Sequence, residues 1–116
     1  MKVIKKYLPK AKYPDTPLDW KYLRTKEVLC LIQKLIDGEL VNQVNNNCGV
    51  SKITNAIAHI RKYIGYENIM NVRIEGLRCD CYELVRTPKT IAKMTKLRNI
   101  IEARLREPLK RKGKRG

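Results

Sequence analysis

The sequence contains no phenylalanine, one tryptophan and one histidine, and it is poor in acids: 11 Asp and Glu stand against 26 Lys and Arg, for a net charge of +15. Without phenylalanine the apolar material is aliphatic, 12 Ile, 12 Leu and 7 Val. One histidine, no nucleophile-base constellation and no glycine-rich phosphate loop argue against an enzyme. Long hydrophobic runs are missing too. The longest, Val28-Leu29-Cys30-Leu31-Ile32, is too short to span a bilayer or to form a signal-peptide core. The expectation is a soluble cytoplasmic protein with no membrane partner, in host cytoplasm or nucleoid if the source is viral. In a reducing compartment Cys30, Cys48, Cys79 and Cys81 are expected as free thiols used as small apolar residues, not as disulfides. Cys79-Asp80-Cys81 lacks the two-residue spacer of a zinc pair, and Cys30, Cys48 and His59 show no ligand-like spacing. No metal and no cofactor are expected.

The positive charge is unevenly placed. Residues 1–26 carry eight basic and two acidic side chains, residues 27–85 six and seven, and residues 86–116 twelve and two, giving +6, −1 and +10. A neutral centre with cationic ends predicts a polyanionic partner whose phosphates the ends track. At 116 residues the chain is one domain with tails: a basic extended arm over 1–15, a folded unit over 16–107 and a disordered basic tail over 108–116.

Prolines in "LPKAKYPD" break the arm, although "KVIKKYL" could pair as an edge strand. Thr16-Pro17 has the form of a helix start, with Asp19 three residues past the cap, and Thr25 marks a break. Val28, Leu31, Ile32, Leu35 and Ile36 then make a helical stripe that Gly38 ends. "ELVNQVN" reads as a short helix with Val41 and Val44 inward, followed by a turn at Gly49, where a positive backbone dihedral is easiest. Ser51 is placed to cap the next helix, 51–64, along which Ile53, Ile57, Ile60 and Ile64 share a face. "NVRIEGLRCDCYELV" reads as a hairpin with Val72, Ile74, Tyr82 and Leu84 inward. After Thr87-Pro88, a last helix carries Ile91, Met94, Leu97, Ile101 and Leu105 on one stripe. That stripe can serve the core or a homodimer.

Gly49-Val50, Ile57, Ile60, Arg61-Lys62, Gly65 and Ile69 resemble the small winged helix-turn-helix proteins of phages and prophages. Their recognition helix ends in an isoleucine, a leucine, Arg-Lys and a glycine before the first wing strand. Here Ile60 replaces the leucine, and one extra residue precedes each of Gly65 and Ile69. The resemblance covers residues 39 to about 86. It implies a mainly α fold with a β-hairpin, in which a three-helix core carries a two-stranded wing, here with an extra C-terminal helix. It also implies double-stranded DNA as the partner, as in a sequence-specific transcriptional regulator of a phage or mobile element.

The residue chemistry of helix 51–64 fits that partner. Asn55 can pair with adenine, His59 and Lys62 can donate to guanine or phosphate, Lys52 and Thr54 flank them, and Ala58 admits close approach. No acid lies on this helix. Ser51, Arg61, Arg73 and Arg78 are expected to contact phosphate, as are Lys110, Arg111, Lys112, Lys114 and Arg115 of the tail. Glu75, Asp80 and Glu83 in the hairpin work against wing contact. Asp15, Asp19 and Lys21 have the residue types of a metal-dependent nuclease but crowd at a helix start, the wrong context for paired-strand metal ligation. Two other classes fit the same residues: a general nucleic-acid accessory protein, and a winged-helix adaptor on a polymerase or replication protein.

Overall fold

The computed structural model describes residues 2–9, 20–44 and 48–106. The helix start at Thr16-Pro17, Asp15 and Asp19, and the tail cations Lys110, Arg111, Lys112, Lys114 and Arg115 lie outside them. Where the apolar residues recur every three or four positions, the chain is helical. α1 (Trp20–Leu23) and α2 (Lys26–Ile36) are separated at Thr25, whose hydroxyl accepts from the Val28 amide at 3.1 Å and caps α2. α3 (Ile53–Ile64) buries Ile53, Ile57, Ile60 and Ile64 as one face. It stops at Gly65, where φ is +106° and a Cβ would lie 3.0 Å from Asn68 Nδ2. α4 (Pro88–Arg106) opens with the Thr87 hydroxyl accepting from the Thr90 amide at 3.2 Å, with proline in the first turn.

The strands are β1 (Val3–Tyr7), β2 (Ile69–Ile74) and β3 (Cys81–Leu84), in one antiparallel sheet of order β1-β2-β3. The fold is therefore mixed α/β, with four α-helices and a three-stranded sheet among the described residues. The arm supplies the edge strand, so the hairpin expected to stand alone as two strands carries a third, β1. Val41 adds a single rung on the far side of β3, exchanging backbone hydrogen bonds with Tyr82 at 3.2 and 2.8 Å. Leu31, Ile32 and Leu35 of α2, the α3 isoleucines, Met94, Leu97 and Ile101 of α4, and Ile69, Tyr82 and Leu84 of the sheet form one core. The α4 stripe offered for a homodimer thus lies inside this core, with Ile91 and Leu105 packed at its margin.

Three local expectations are corrected. Residues 39–44 are not helical: Val41 is in the sheet rung and Val44 is 86% exposed. The reason is competition, because a strand partner at Tyr82 satisfies the Val41 backbone in place of a helical turn. Ser51 does not cap α3 with its side chain. Gln43 does, accepting from the Ile53 amide with Oε1 and donating from Nε2 to the Ser51 carbonyl, both at 2.8 Å. Finally, Val72 and Ile74 do not share a face with Tyr82 and Leu84. The register sets Ile69 opposite Leu84 and Asn71 opposite Tyr82, while Val72 faces Cys81 on the other side. There Val72, Ile74, Cys81 and Leu77 make a second small cluster. Both faces of the hairpin are partly buried.

The cysteine expectation is corrected too. Cys30 of α2 and Cys48 form a disulfide, with Cα atoms 5.7 Å apart; Cys79 and Cys81 are free thiols. Folding brings Cys48 onto α2 although the pair is 18 positions apart in sequence, a proximity no local spacing reveals.

Candidate nucleic-acid interface

α3 has one solvent-facing side, and its neighbours set how wide that side is. α1 lies along one flank. The Trp20 ring meets Tyr63 edge-on with centroids 5.7 Å apart, Tyr22 stacks on His59 at 4.5 Å, and the Tyr22 hydroxyl donates to the Lys52 carbonyl at 3.4 Å. On the other flank Ala58 is 8% exposed, so it is buried and not the open floor of a groove contact. Between the flanks Lys52, Thr54 and Asn55 are exposed, and among the described residues their side chains have no hydrogen-bonding or ionic partner. His59 and Lys62 are half-buried at the edges. Ser51 is exposed beside the helix start.

The histidine's surroundings limit its chemistry. Its Nδ1 lies 2.9 Å from the Asn55 carbonyl, which can only accept, so Nδ1 carries the hydrogen. A neutral ring then presents Nε2 as an acceptor. In that tautomer Nε2 can accept a hydrogen bond from a donor but has none to give.

Arg61 was expected at phosphate and is corrected by its burial, 3% exposed. Its Nη2 donates to the Ile69 carbonyl and to Asn71 Oδ1, and its guanidinium lies 4.6 Å from the Tyr66 ring centroid. Although it lies beside the isoleucine face, this cation is turned inward because β2 offers it two oxygens there. Asn71 passes the connection on by donating from Nδ2 to Asp80 Oδ2 at 3.1 Å. Asp80 also accepts from the Tyr7 hydroxyl and pairs with Arg73 Nε at 3.2 Å. Holding that hydrogen bond to the Asp80 carboxylate raises the Tyr7 pKa above its ordinary 10.0, because the phenol must keep its proton to donate.

The same contacts change the electrostatics of the hairpin. Asp80 is neutralised by Arg73, and Glu83 by Lys6 at 2.9 Å. Two of the three acids that weigh against a wing contact are therefore paired within the sheet, as is Arg73. Arg78 stays exposed in the β2–β3 connection. Residues missed from the sequence are Tyr22, Gln43 and Arg86. Arg86 Nη1 donates to the Leu35 and Ile36 carbonyls at 3.1 and 2.8 Å, placing a cation on the C-terminus of α2. The adjacent aromatics Trp20 and Tyr22 were the one local sign that something packs beside α3.

No helix among the described residues is long and apolar enough to cross a membrane, and no cluster of three or more metal-ligating side chains occurs among them. No protein-family model, no curated protein and no solved structure matches this chain.

Proposed function

We propose that the chain is a winged helix-turn-helix-like protein that binds duplex DNA, with the outer side of α3 in the major groove. The observation that carries this reading is an acid-free helix side on which Lys52, Thr54 and Asn55 are exposed and unengaged among the described residues. An α-helix fits the major groove, and these side chains supply a cation, a hydroxyl with a methyl, and an amide that can pair bidentately with adenine. His59 Nε2 extends the contact at one edge, and Lys62 borders it. Lys52 and Arg78 meet phosphate, from the helix start and the hairpin. Arg73, already paired, contributes to the hairpin's shape, and Arg61 to its attachment. The tail cations 110–115 add affinity without sequence information.

The resemblance to phage-type proteins makes a small sequence-specific transcriptional regulator, acting in the cytoplasm or nucleoid, the biological form of this activity. Titration of the protein with a random-sequence duplex at about 150 mM salt tests it, since weaker salt inflates any basic chain's affinity. Binding that weakens with Lys52→Ala and with Arg78→Ala, each lowering the salt slope by about one, supports the interface. Absence of duplex binding, or indifference to both substitutions, removes it.

A further inference from the structure

We propose that α4 provides a second duplex-DNA contact, in which Lys89, Lys93 and Lys96 track a phosphate backbone. Steps of four and three residues put these side chains on one side of the helix, about 10 Å from first to last. All three are exposed, and among the described residues none forms an ion pair. Their element is held firmly from behind. Met94, Leu97 and Ile101 are fully buried, Arg98 Nη1 donates to Gln33 of α2 at 2.9 Å, and the Arg104 guanidinium lies 4.7 Å over the Trp20 ring. The one acid of the helix, Glu102, is paired with Arg106 at 3.1 Å, away from the lysine side.

The placement of these charges runs against the stability of the helix itself. Lysines at i, i+4 and i, i+3 repel one another, and Lys89 in the first turn opposes the positive end of the helix dipole. No acid occupies that turn. A face shaped only for solubility would mix signs and put acids there. Three like charges on one side, one of them at the unfavourable end, fit an external polyanion.

Duplex phosphates fit better than the alternatives. The exposed neighbours on α4 are Ala92, Asn99 and Ala103, with no large apolar side chain to enter a bilayer. Nor does this side carry an aromatic ring on which unpaired bases could stack. The inference shares with the α3 reading only the identity of the partner.

The test is the full-length triple variant Lys89→Gln/Lys93→Gln/Lys96→Gln, glutamine being chosen to keep helix propensity. The proposal expects the slope of log affinity against log salt, on a random duplex, to fall by about two to three, with affinity at about 150 mM salt down about tenfold or more. Thermal stability should stay unchanged or rise, which a merely structural role would not give. The lysine-to-arginine triple should bind like the parent. An unchanged slope overturns the proposal, and so does a loss seen on anionic phosphatidylserine vesicles but not on DNA. Failure of the α3 reading looks different: Thr54→Ala/Asn55→Ala would leave base preference intact while the α4 variant still changed the slope.

Discussion

Arg61 shows how one position can be chemically right for DNA and structurally committed elsewhere. Its guanidinium supplies donors to the Ile69 carbonyl and Asn71 Oδ1 in a site closed by the Tyr66 ring. Arg61→Ala removes the donor and leaves two buried acceptors dry, a loss of about 3 kcal/mol. Lys52→Ala and Arg78→Ala, at exposed positions, should shift stability by no more than about 0.5 kcal/mol. Urea unfolding of the three variants checks this: a midpoint for Arg61→Ala equal to the parent's would mean that the arginine is free for a ligand. The sequence could not reveal this arrangement, because Arg61-Lys62 places two cations side by side and only β2 decides which one turns in. Lys52, Thr54 and Asn55 were legible, since the stripe of isoleucines fixes what lies opposite.

At the scale of elements, α2, α3 and α4 were readable from apolar spacing, and the Thr25 break and the Thr87-Pro88 start from those residues themselves, whereas the short helix expected from residue 39 did not form over the described residues 39–44. Long-range devices were not. Gln43 caps α3 from ten residues upstream, a partner that a local search for a serine or threonine cap cannot find. Gln43→Ala is therefore expected to cost about 1 kcal/mol, whereas Ser51→Ala should be near neutral. Equal effects of the two substitutions in thermal unfolding would contradict the assignment. The hairpin faces were misread for a different reason. Apolar side chains lie on both sides of the sheet, so alternation does not say which side meets the helices.

The Cys30–Cys48 disulfide belongs to the same scale. It closes a loop with a sequence separation of 18, which by loop entropy contributes about 3 kcal/mol, and it fixes on α2 the chain segment that leads into α3. Reduction should lower the denaturation midpoint accordingly, measured with and without reductant at fixed pH. An unchanged midpoint would mean that the two thiols are not linked in solution. A reducing cytosol would favour the open form, so the compartment expectation and this bridge pull in opposite directions.

For the whole molecule, the excess of cations divides between positions engaged within the fold and positions that face outward. The sheet pairs Asp80 with Arg73 and Glu83 with Lys6, Arg61 is held in the interior, and Arg86, itself exposed, binds the C-terminus of α2. Lys52 with Thr54 and Asn55 at α3, Arg78 on the hairpin and Lys89, Lys93 and Lys96 of α4 are among the cationic or polar groups that face outward. Under the proposed reading, base contacts fall to Thr54 and Asn55 of α3, while phosphate attraction is shared by Lys52, Arg78 and the α4 lysines.

The most direct measurement is selection of sequences from a random duplex pool, run in parallel with the parent protein and with Thr54→Ala/Asn55→Ala, at about 150 mM salt with excess competitor. The account predicts that the parent enriches a motif of several fixed base pairs, and that the variant loses the motif while still binding bulk duplex through its cationic surfaces. No enrichment by the parent, or the same motif from both proteins, would contradict the claim that α3 reads DNA.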